Sequence, residues 1–335
     1  MSTVTAPETT RTITLREGLK QALREALDRD DRVFLMGEDV GAYGGCFAVT
    51  RGLLDEYGPE RIRDTPLSEV AITGAGIGAS MGGLRPIVEL MTCNFSLLAL
   101  DQIINNAATL LHMSGGQFNV PLVIRTTAGA GRQLAAQHSH SFEPTFAHVP
   151  GIRVMSIATH EDALGVLWPA LCDPDPVVLF EYPRILALEA EVPETPVTVD
   201  LDHAAIRRRG SDVTLITYGA MLVEVLAAAE ALAEDGIDAE VIDLRTLRPI
   251  DYETLLGSLA ETHRAVVVEE AWRTGGLGAE IAAQLSEEAF YDLDAPIGRV
   301  ACAEVPLPYA KHLEDAAIPQ VDDVVAEVHR VMHRG

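Results

Sequence analysis

From Val213 to Cys302 the chain alternates short β-type runs with amphipathic stretches at close, regular spacing. Strands are predicted at Val213–Thr217, Ala239–Leu244, Ala265–Glu269 and Arg299–Cys302. Helices are predicted at Leu222–Ala233, Tyr252–Leu259 and Leu277–Glu288. Parallel strands need a crossover of about a dozen residues or more, which a helix supplies. This order therefore predicts a parallel sheet with helices on both faces, a doubly wound α/β unit. Asp235-Gly236 closes one helix, and Gly275-Gly276-Leu277-Gly278 opens another, where a tight helix entry is the simpler reading than an anion site.

A chain of 335 residues is too long for one small core, and two domains are expected. Residues 187–200, ALEAEVPETPVTVD, combine two prolines with four acidic residues and read as the start of an interdomain linker. The expected division is a disordered N-terminus (1–12), a first domain (13–186), a linker (187–209) and a second domain (210–335). In the first domain Thr14-Leu15-Arg16-Glu17 has the pattern of a capping box, followed by apolar residues at helical spacing from Leu15 to Leu27. Strands are expected at Arg32–Met36, Pro86–Leu90, Pro121–Thr126, Arg153–Ile157 and Val177–Tyr182. Glu38-Asp39 follow the first of these, where open α/β sheets build sites, and a solvated loop is an equal reading. Ser96–His112 reads as one long helix with a wide apolar face, ended by Ser114-Gly115-Gly116.

The stretch from Asp64 to Asn94 holds one carboxylate, Glu69, among apolar and small residues. Gly74, Gly76, Gly78, Gly82 and Gly83 follow it through a helix-like segment. Glycine inside a helix costs about 0.5–1 kcal/mol relative to alanine, so such a series implies close approach by a helix or a ligand. A carboxylate buried there needs a partner or a raised pKa, which makes Glu69 a site candidate. Gly74–Ala79 matches G-x-G-x-x-A, but that fingerprint needs a preceding strand, and Pro66-Leu67-Ser68-Glu69 is a poor one. Gly78–Gly82 matches the G-x-S-x-G elbow around Ser80, which has the same requirement; a serine hydrolase is thus a distant alternative. Close packing through small residues accounts for both matches. His138-Ser139-His140 lies after a loop from Ala128 to Gln137, and histidine is the usual acid–base group near neutral pH.

Fifty acidic residues against 25 basic give a net charge of −25, which argues against a nucleic-acid partner. Cys46, Cys93, Cys172 and Cys302 are scattered, without metal-ligand spacing and too sparse for a disulfide framework. No apolar run reaches about 18 residues, and MSTVTAPETTRT lacks a signal-peptide core, so no membrane association and a cytoplasmic protein are expected.

Taken together, RIRDTPLSEVAITGAGIGASMGGLRPIVELMTCNFS, AQHSHSF, FAHVPGIRV, DPDPVVLFE, GSDVTLITYG, VIDLRTLRPID and EEAWRTGGLGAEI resemble the beta subunit of thiamine-diphosphate-dependent 2-oxo acid dehydrogenases. The segments follow family order through nearly the whole chain. The resemblance implies two doubly wound domains, a pyrimidine-binding domain and a transketolase-like C-terminal domain. It implies assembly of two alpha and two beta chains into the decarboxylating component of a large complex. Glu69 matches the glutamate that hydrogen-bonds the cofactor's pyrimidine nitrogen and promotes its imino tautomer. Met91 and Phe95 match residues lining the aminopyrimidine. His138 matches the histidine that assists reductive acylation of a lipoyl group, while His140 sits where relatives often have Gln. Backbone oxygens of Leu122, Ala170, Leu171, Asp173 and Asp175 match a potassium site of many relatives.

Thiamine enzymes hold the cofactor's divalent metal with a Gly-Asp-Gly motif and a later Asn, and this sequence has no Gly-Asp-Gly. The chain therefore resembles half a site: Mg2+ is expected on an alpha subunit, with thiamine diphosphate shared between the two. MTCNFSLLALDQIINNAATLLHMSGGQ is most similar to pyruvate-type relatives, with branched-chain 2-oxo acids and acetoin as alternatives. The expected partners are an alpha subunit and a lipoyl-bearing acyltransferase core, whose basic binding segment the acidic C-terminal domain could dock. A non-catalytic assembly protein with the same fold is a further reading.

Overall fold

The computed structural model describes residues 9–333, and most of the expected disordered N-terminus lies outside them. Thr10–Thr12 do not belong to a disordered segment. They open strand β1 (Thr10–Thr14), whose Thr14 side chain and Glu17 form the reciprocal capping box of helix Leu15–Arg29.

The first sheet is built from β2 (Val33–Gly37), β3 (Ile62–Asp64), β4 (Arg85–Leu90), β5 (Val123–Thr127), β6 (Arg153–Ser156) and β7 (Val177–Glu181). These run parallel in the order β6-β7-β5-β4-β2-β3. β2, β5 and β7 are buried at every position, as expected for strands covered on both faces.

The predicted linker contains two strands. β8 (Glu189–Pro193) pairs antiparallel with β1, and β9 (Ala205–Arg208) joins the edge of the second sheet. Its acidic and proline content suggested a tether, yet Val192 is buried and the backbone donors find strand partners. The second sheet is completed by β10 (Val213–Thr217), β11 (Ala239–Asp243), β13 (Ala265–Trp272) and β14 (Gly298–Cys302) in the order β14-β13-β10-β11-β9. The intervening strand β12 (Thr246–Arg248) leaves this domain and pairs antiparallel with β6 on the first sheet.

Strand alternation divides the second sheet between two cores. Ile216, Ile242 and Val267 face a core continuous with the first domain. Leu215, Val241 and Val266 face a separate cluster with Leu222, Val225, Val324 and Val328. The two-residue period of a strand thus welds one face to the neighbouring domain and leaves the other to its own helices. Across the junction Arg245 pairs with Asp162 at 2.7 Å, and Arg207 pairs with the same Asp162 at 3.2 Å.

Ser96–His112 is not one α-helix. A short α-helical turn (Cys93–Ser96) and a 3-10 turn (Leu97–Ala99) lead into a π-helical segment, Asp101–Ala107. The Asp101 carboxylate takes the Asn105 side-chain amide at 2.8 Å, and Asn106 reaches the Asp101 carbonyl at 3.1 Å. Polar side chains that bond within the segment offer alternatives to the ordinary α-helical ladder, which apolar spacing alone does not reveal.

Candidate functional site

Four neighbouring parallel strands end at one edge of the first sheet, where a doubly wound fold leaves a crevice. β2 delivers Glu38, β3 leads to Glu69, β4 delivers Met91 and Phe95, and β5 delivers the loop that ends at His138. Residues up to 100 positions apart in sequence, Glu38 through His138, are thereby drawn from separate connections to one side of the sheet.

Glu69 is the first residue of helix Glu69–Met81, with Ser68 as its cap residue. It is 8% exposed, and no hydrogen bond ties its carboxylate to another described residue. Glu38 is its electrostatic neighbour: both Glu38 carboxylate oxygens are buried without a hydrogen-bond partner. Burial raises the Glu38 pKa first, and the charge of Glu69 adds to that rise. A buried carboxylate without a side-chain partner is costly, and Glu38 is one, with Glu69 beside it at the same edge. Two carboxyl groups without side-chain donors suit a ligand that brings its own nitrogen donors.

Behind Glu69 the helix comes close to the sheet at Gly76, where an added Cβ would lie 2.6 Å from Val88 Cγ2. Gly78 faces open space, as do the neighbouring exposed Val70 and Met81. The small residues thus serve two faces, one packed on the strands and one free. Both short motifs dissolve in this geometry. Gly74–Ala79 lies within a helix rather than at a strand–helix turn. Ser80 is buried on the same helix and donates to the Ile77 carbonyl at 2.8 Å, so it is not a displayed nucleophile.

Phe95 and His138 are brought together, with ring centroids 5.4 Å apart in an edge-to-face arrangement. His138 is exposed. His140 is different: its ring lies 4.8 Å from Trp272 and 5.5 Å from Phe142. Its Nδ1 meets the Asn94 side-chain amide at 3.2 Å, and burial lowers its pKa. His140 is packed and His138 is presented. Among the described residues no group of three or more His, Cys, Asp or Glu side chains is arranged to hold a metal. Met91 contributes its carbonyl to the hydroxyl of Thr127 at 3.0 Å, fixing the end of β4 to the end of β5.

The five potassium-site candidates lie at the other end of the strands. Leu122 just precedes β5, Asp175 just precedes β7, and Ala170, Leu171 and Asp173 are at the end of helix Leu167–Cys172. The Leu122 carbonyl already accepts the Val177 amide at 2.8 Å, and the Leu171 carbonyl accepts the Arg85 guanidinium. Each carbonyl retains a second lone pair.

Sequence reading overlooked the support beneath this edge. Arg125 on β5 is buried between Glu89 and Glu181, at 2.7 Å from each. Burial opposes the Arg125 charge, but the charges of Glu181 and Glu89 outweigh it, and its pKa is raised. The signal was an arginine inside the otherwise strand-like Val123–Thr127, where a charge requires a partner.

Two family models match the chain: the transketolase pyrimidine-binding domain over residues 11–187 and the transketolase C-terminal domain over residues 202–324. A rice protein, pyruvate dehydrogenase E1 component subunit beta-2, mitochondrial, is 47% identical over 96% of this chain and 87% of its own length. The pyruvate dehydrogenase E1 component subunit beta of Rickettsia felis is 44% identical over 96% of this chain and 98% of its own. The chain belongs to the pyruvate dehydrogenase E1 beta-subunit family. Among solved structures, a split-gene transketolase described as an inactive beta4 tetramer aligns at a TM-score of 0.78. It shares 25% identity and is matched over 96% of this chain and 98% of that one. Both domains of the family's transketolase-like α/β fold are therefore present, in the order expected.

Proposed function

We propose that this E1-type beta chain completes a thiamine-diphosphate site with an alpha subunit and decarboxylates pyruvate for transfer of the acetyl group to a lipoyl carrier. The observation that carries this reading is Glu69, a buried carboxylate with no protein hydrogen bond, at the strand edge that also presents His138 beside Phe95. When bound, thiamine diphosphate supplies the electron sink for decarboxylation of a 2-oxo acid. Glu69 would hold a proton at the pyrimidine ring nitrogen, in a site dry enough for that hydrogen bond to be strong. Met91 and Phe95 would line the aminopyrimidine and keep water from it. His138, on the exposed side, would hold or deliver a proton where the lipoyl group arrives.

The absence of Gly-Asp-Gly supports assigning Mg2+ and the diphosphate to the alpha chain, in an assembly of two alpha and two beta chains. The description of the related split transketolase as inactive in a beta-only tetramer agrees with a half-site. The carbonyls of Leu122, Ala170, Leu171, Asp173 and Asp175 would hold K+ with backbone oxygen alone, at a distance from the chemistry. We place the chain in the cytoplasm; among the described residues no helix is long and apolar enough to cross a membrane.

The test is co-expression with a cognate alpha subunit, followed by pyruvate-dependent dye reduction with thiamine diphosphate and Mg2+. Turnover is expected only with both chains, and faster with pyruvate than with branched-chain 2-oxo acids or acetoin. A well-formed, cofactor-loaded complex that turns over none of them would overturn the reading. The net charge of −25 suits docking of a basic segment of the acyltransferase core. Its association is expected to weaken steeply between low and physiological salt, measured by titration calorimetry, whereas salt-independent binding would exclude an electrostatic contact.

A further inference from the structure

The loop from Gly129 to Gln137 carries His138 away from the end of β5, and its backbone is not one the chain adopts unaided. Gly129 and Gly131 have φ of +88° and +89°. Gln133 and Ala135, which have side chains, also lie in the left-handed region, at +55° and +64°. Non-glycine residues persist there only when their surroundings fix them.

Those surroundings include two carboxylates from the C-terminal domain. Glu270 on β13 accepts the Ala130 amide at 2.5 Å. Glu314, on helix Lys311–Ala317 and 1% exposed, accepts the Gln133 amide through both oxygens, at 3.1 and 3.2 Å. Both acids are buried. Neither forms a salt bridge among the described residues, and their hydrogen bonds go to this loop. The fit at Gly129 is close: a Cβ there would lie 2.9 Å from Glu270 Oε1. On the opposite side the first domain holds the end of the same loop. Asn94 donates to the Ala136 carbonyl at 3.1 Å, and Cys93 donates to the His140 carbonyl at 3.0 Å.

We propose that Glu270 and Glu314 are positioning residues for His138: they clamp the Gly129–Gln137 loop onto the C-terminal domain so that the imidazole stays at the entrance of the site beside Phe95. The argument for catalytic use rests on the reading of His138 given above, whereas the clamp itself rests on the hydrogen bonds. A buried carboxylate with no salt bridge is a demanding way to hold one main-chain amide, even where, as at Glu270, the charge of Arg184 partly offsets burial. Two of them on one loop give that loop a single position rather than an ensemble, which matters where a group must meet a carrier arriving from outside.

The experiment uses the alpha–beta complex and the variants Glu314→Ala, Glu314→Gln, Glu270→Ala, His138→Ala and His138→Ala/Glu314→Ala. Hydrogen exchange of the peptide spanning 128–138 is expected to speed up in both single alanine variants of the clamp and to return toward wild type in Glu314→Gln, which keeps an acceptor. Acyl transfer to a free lipoyl domain is expected to fall about 10-fold to 100-fold in the two clamp variants, the scale of a misplaced catalytic group. Dye reduction, which bypasses the lipoyl carrier, is expected to change less than about 2-fold, because decarboxylation does not use the clamp. In the His138→Ala background, Glu314→Ala is expected to add no further loss, the sign of action through one residue. Unchanged exchange in both clamp variants overturns the clamp. Faster exchange with undiminished acyl transfer, while His138→Ala is impaired, overturns the positioning role. An unimpaired His138→Ala counts against the assigned chemistry of His138 and leaves the exchange result to decide the clamp.

Discussion

Two groups of buried and half-buried acids stand at the same sheet edge and are treated oppositely by the fold. Glu89 and Glu181 close on Arg125, and Glu181 receives it through both of its oxygens, at 2.7 and 3.0 Å. Glu38 and Glu69 have no such cation: neither forms a salt bridge among the described residues, and the Ser68 backbone only partly offsets the burial of Glu38. The first group joins three neighbouring parallel strands, β4, β5 and β7, by charge as well as by backbone ladder. The second lies just past β2, at Glu38, and at the first residue of the helix after β3, Glu69, and it ties no two strands together. The difference teaches where to look for function: a buried charge with every partner supplied holds the molecule together, and one left without partners is reserved for something that binds.

That contrast can be broken first at its structural end. Arg125→Met would leave Glu89 and Glu181 facing each other without a cation, and burial already raises the Glu181 pKa despite the arginine. Removal of one member of a buried ion pair costs about 3–5 kcal/mol, and a comparable fall in unfolding free energy is expected by urea titration. A loss below about 1 kcal/mol would mean that the triad is solvated and that the contrast with Glu69 is false.

The functional end should respond in the opposite sense. Glu69→Gln is expected to lower turnover of the assembled enzyme by about 10²–10³-fold, as removal of one preorganised hydrogen-bonding group does. Stability of the beta chain should be unchanged within about 0.5 kcal/mol, because no salt bridge or hydrogen bond to another described residue depends on the Glu69 carboxyl group. Unchanged turnover would remove Glu69 from the chemistry, and marked unfolding would place it with the structural acids.

The sequence conveyed these two groups unequally. Capping at Thr14 and Glu17, the parallel order of the second sheet and the candidacy of Glu69 follow from local signals: reciprocal polar residues, helix–strand alternation and a lone carboxylate among glycines. The excursion of β12 to the first sheet has no such signal, since three residues, Thr246–Arg248, look like a connection until a partner strand is supplied. The π-helical stretch 101–107 was hidden for a related reason. Its apolar residues keep helical spacing, while the side-chain bonds of Asp101 are visible only in three dimensions. For the site, the two histidines two positions apart were separable by family resemblance, whereas the physical distinction, one exposed and one packed on Trp272, required the C-terminal domain to be in place.

The effect that is smallest per step, because it accrues gradually with pH, concerns a buried acid between the two extremes. Glu143 accepts the Tyr182 hydroxyl at 2.8 Å with one oxygen, while its other oxygen has no partner. Burial pushes its pKa up to about 8, with the charges of Glu270 and Glu269 adding to the rise. Its ordinary value is 4.5, so between about pH 4.5 and pH 8 the unfolded chain has lost this proton and the native chain has kept it. Native stability must therefore fall as pH rises through that window, by at most about 1.4 kcal/mol per pH unit from this group, and level off above it. Glu143→Gln resembles the protonated acid, keeps an acceptor for Tyr182 and cannot ionise. Relative to wild type, the variant is expected to gain stability steadily from pH 5 to pH 8, measured as the difference in urea midpoint at each pH. A difference that stays flat across this range would mean that Glu143 is ionised in the native protein. It would then have to be grouped with Glu89 and Glu181, as a charge whose compensation comes from the surrounding fold.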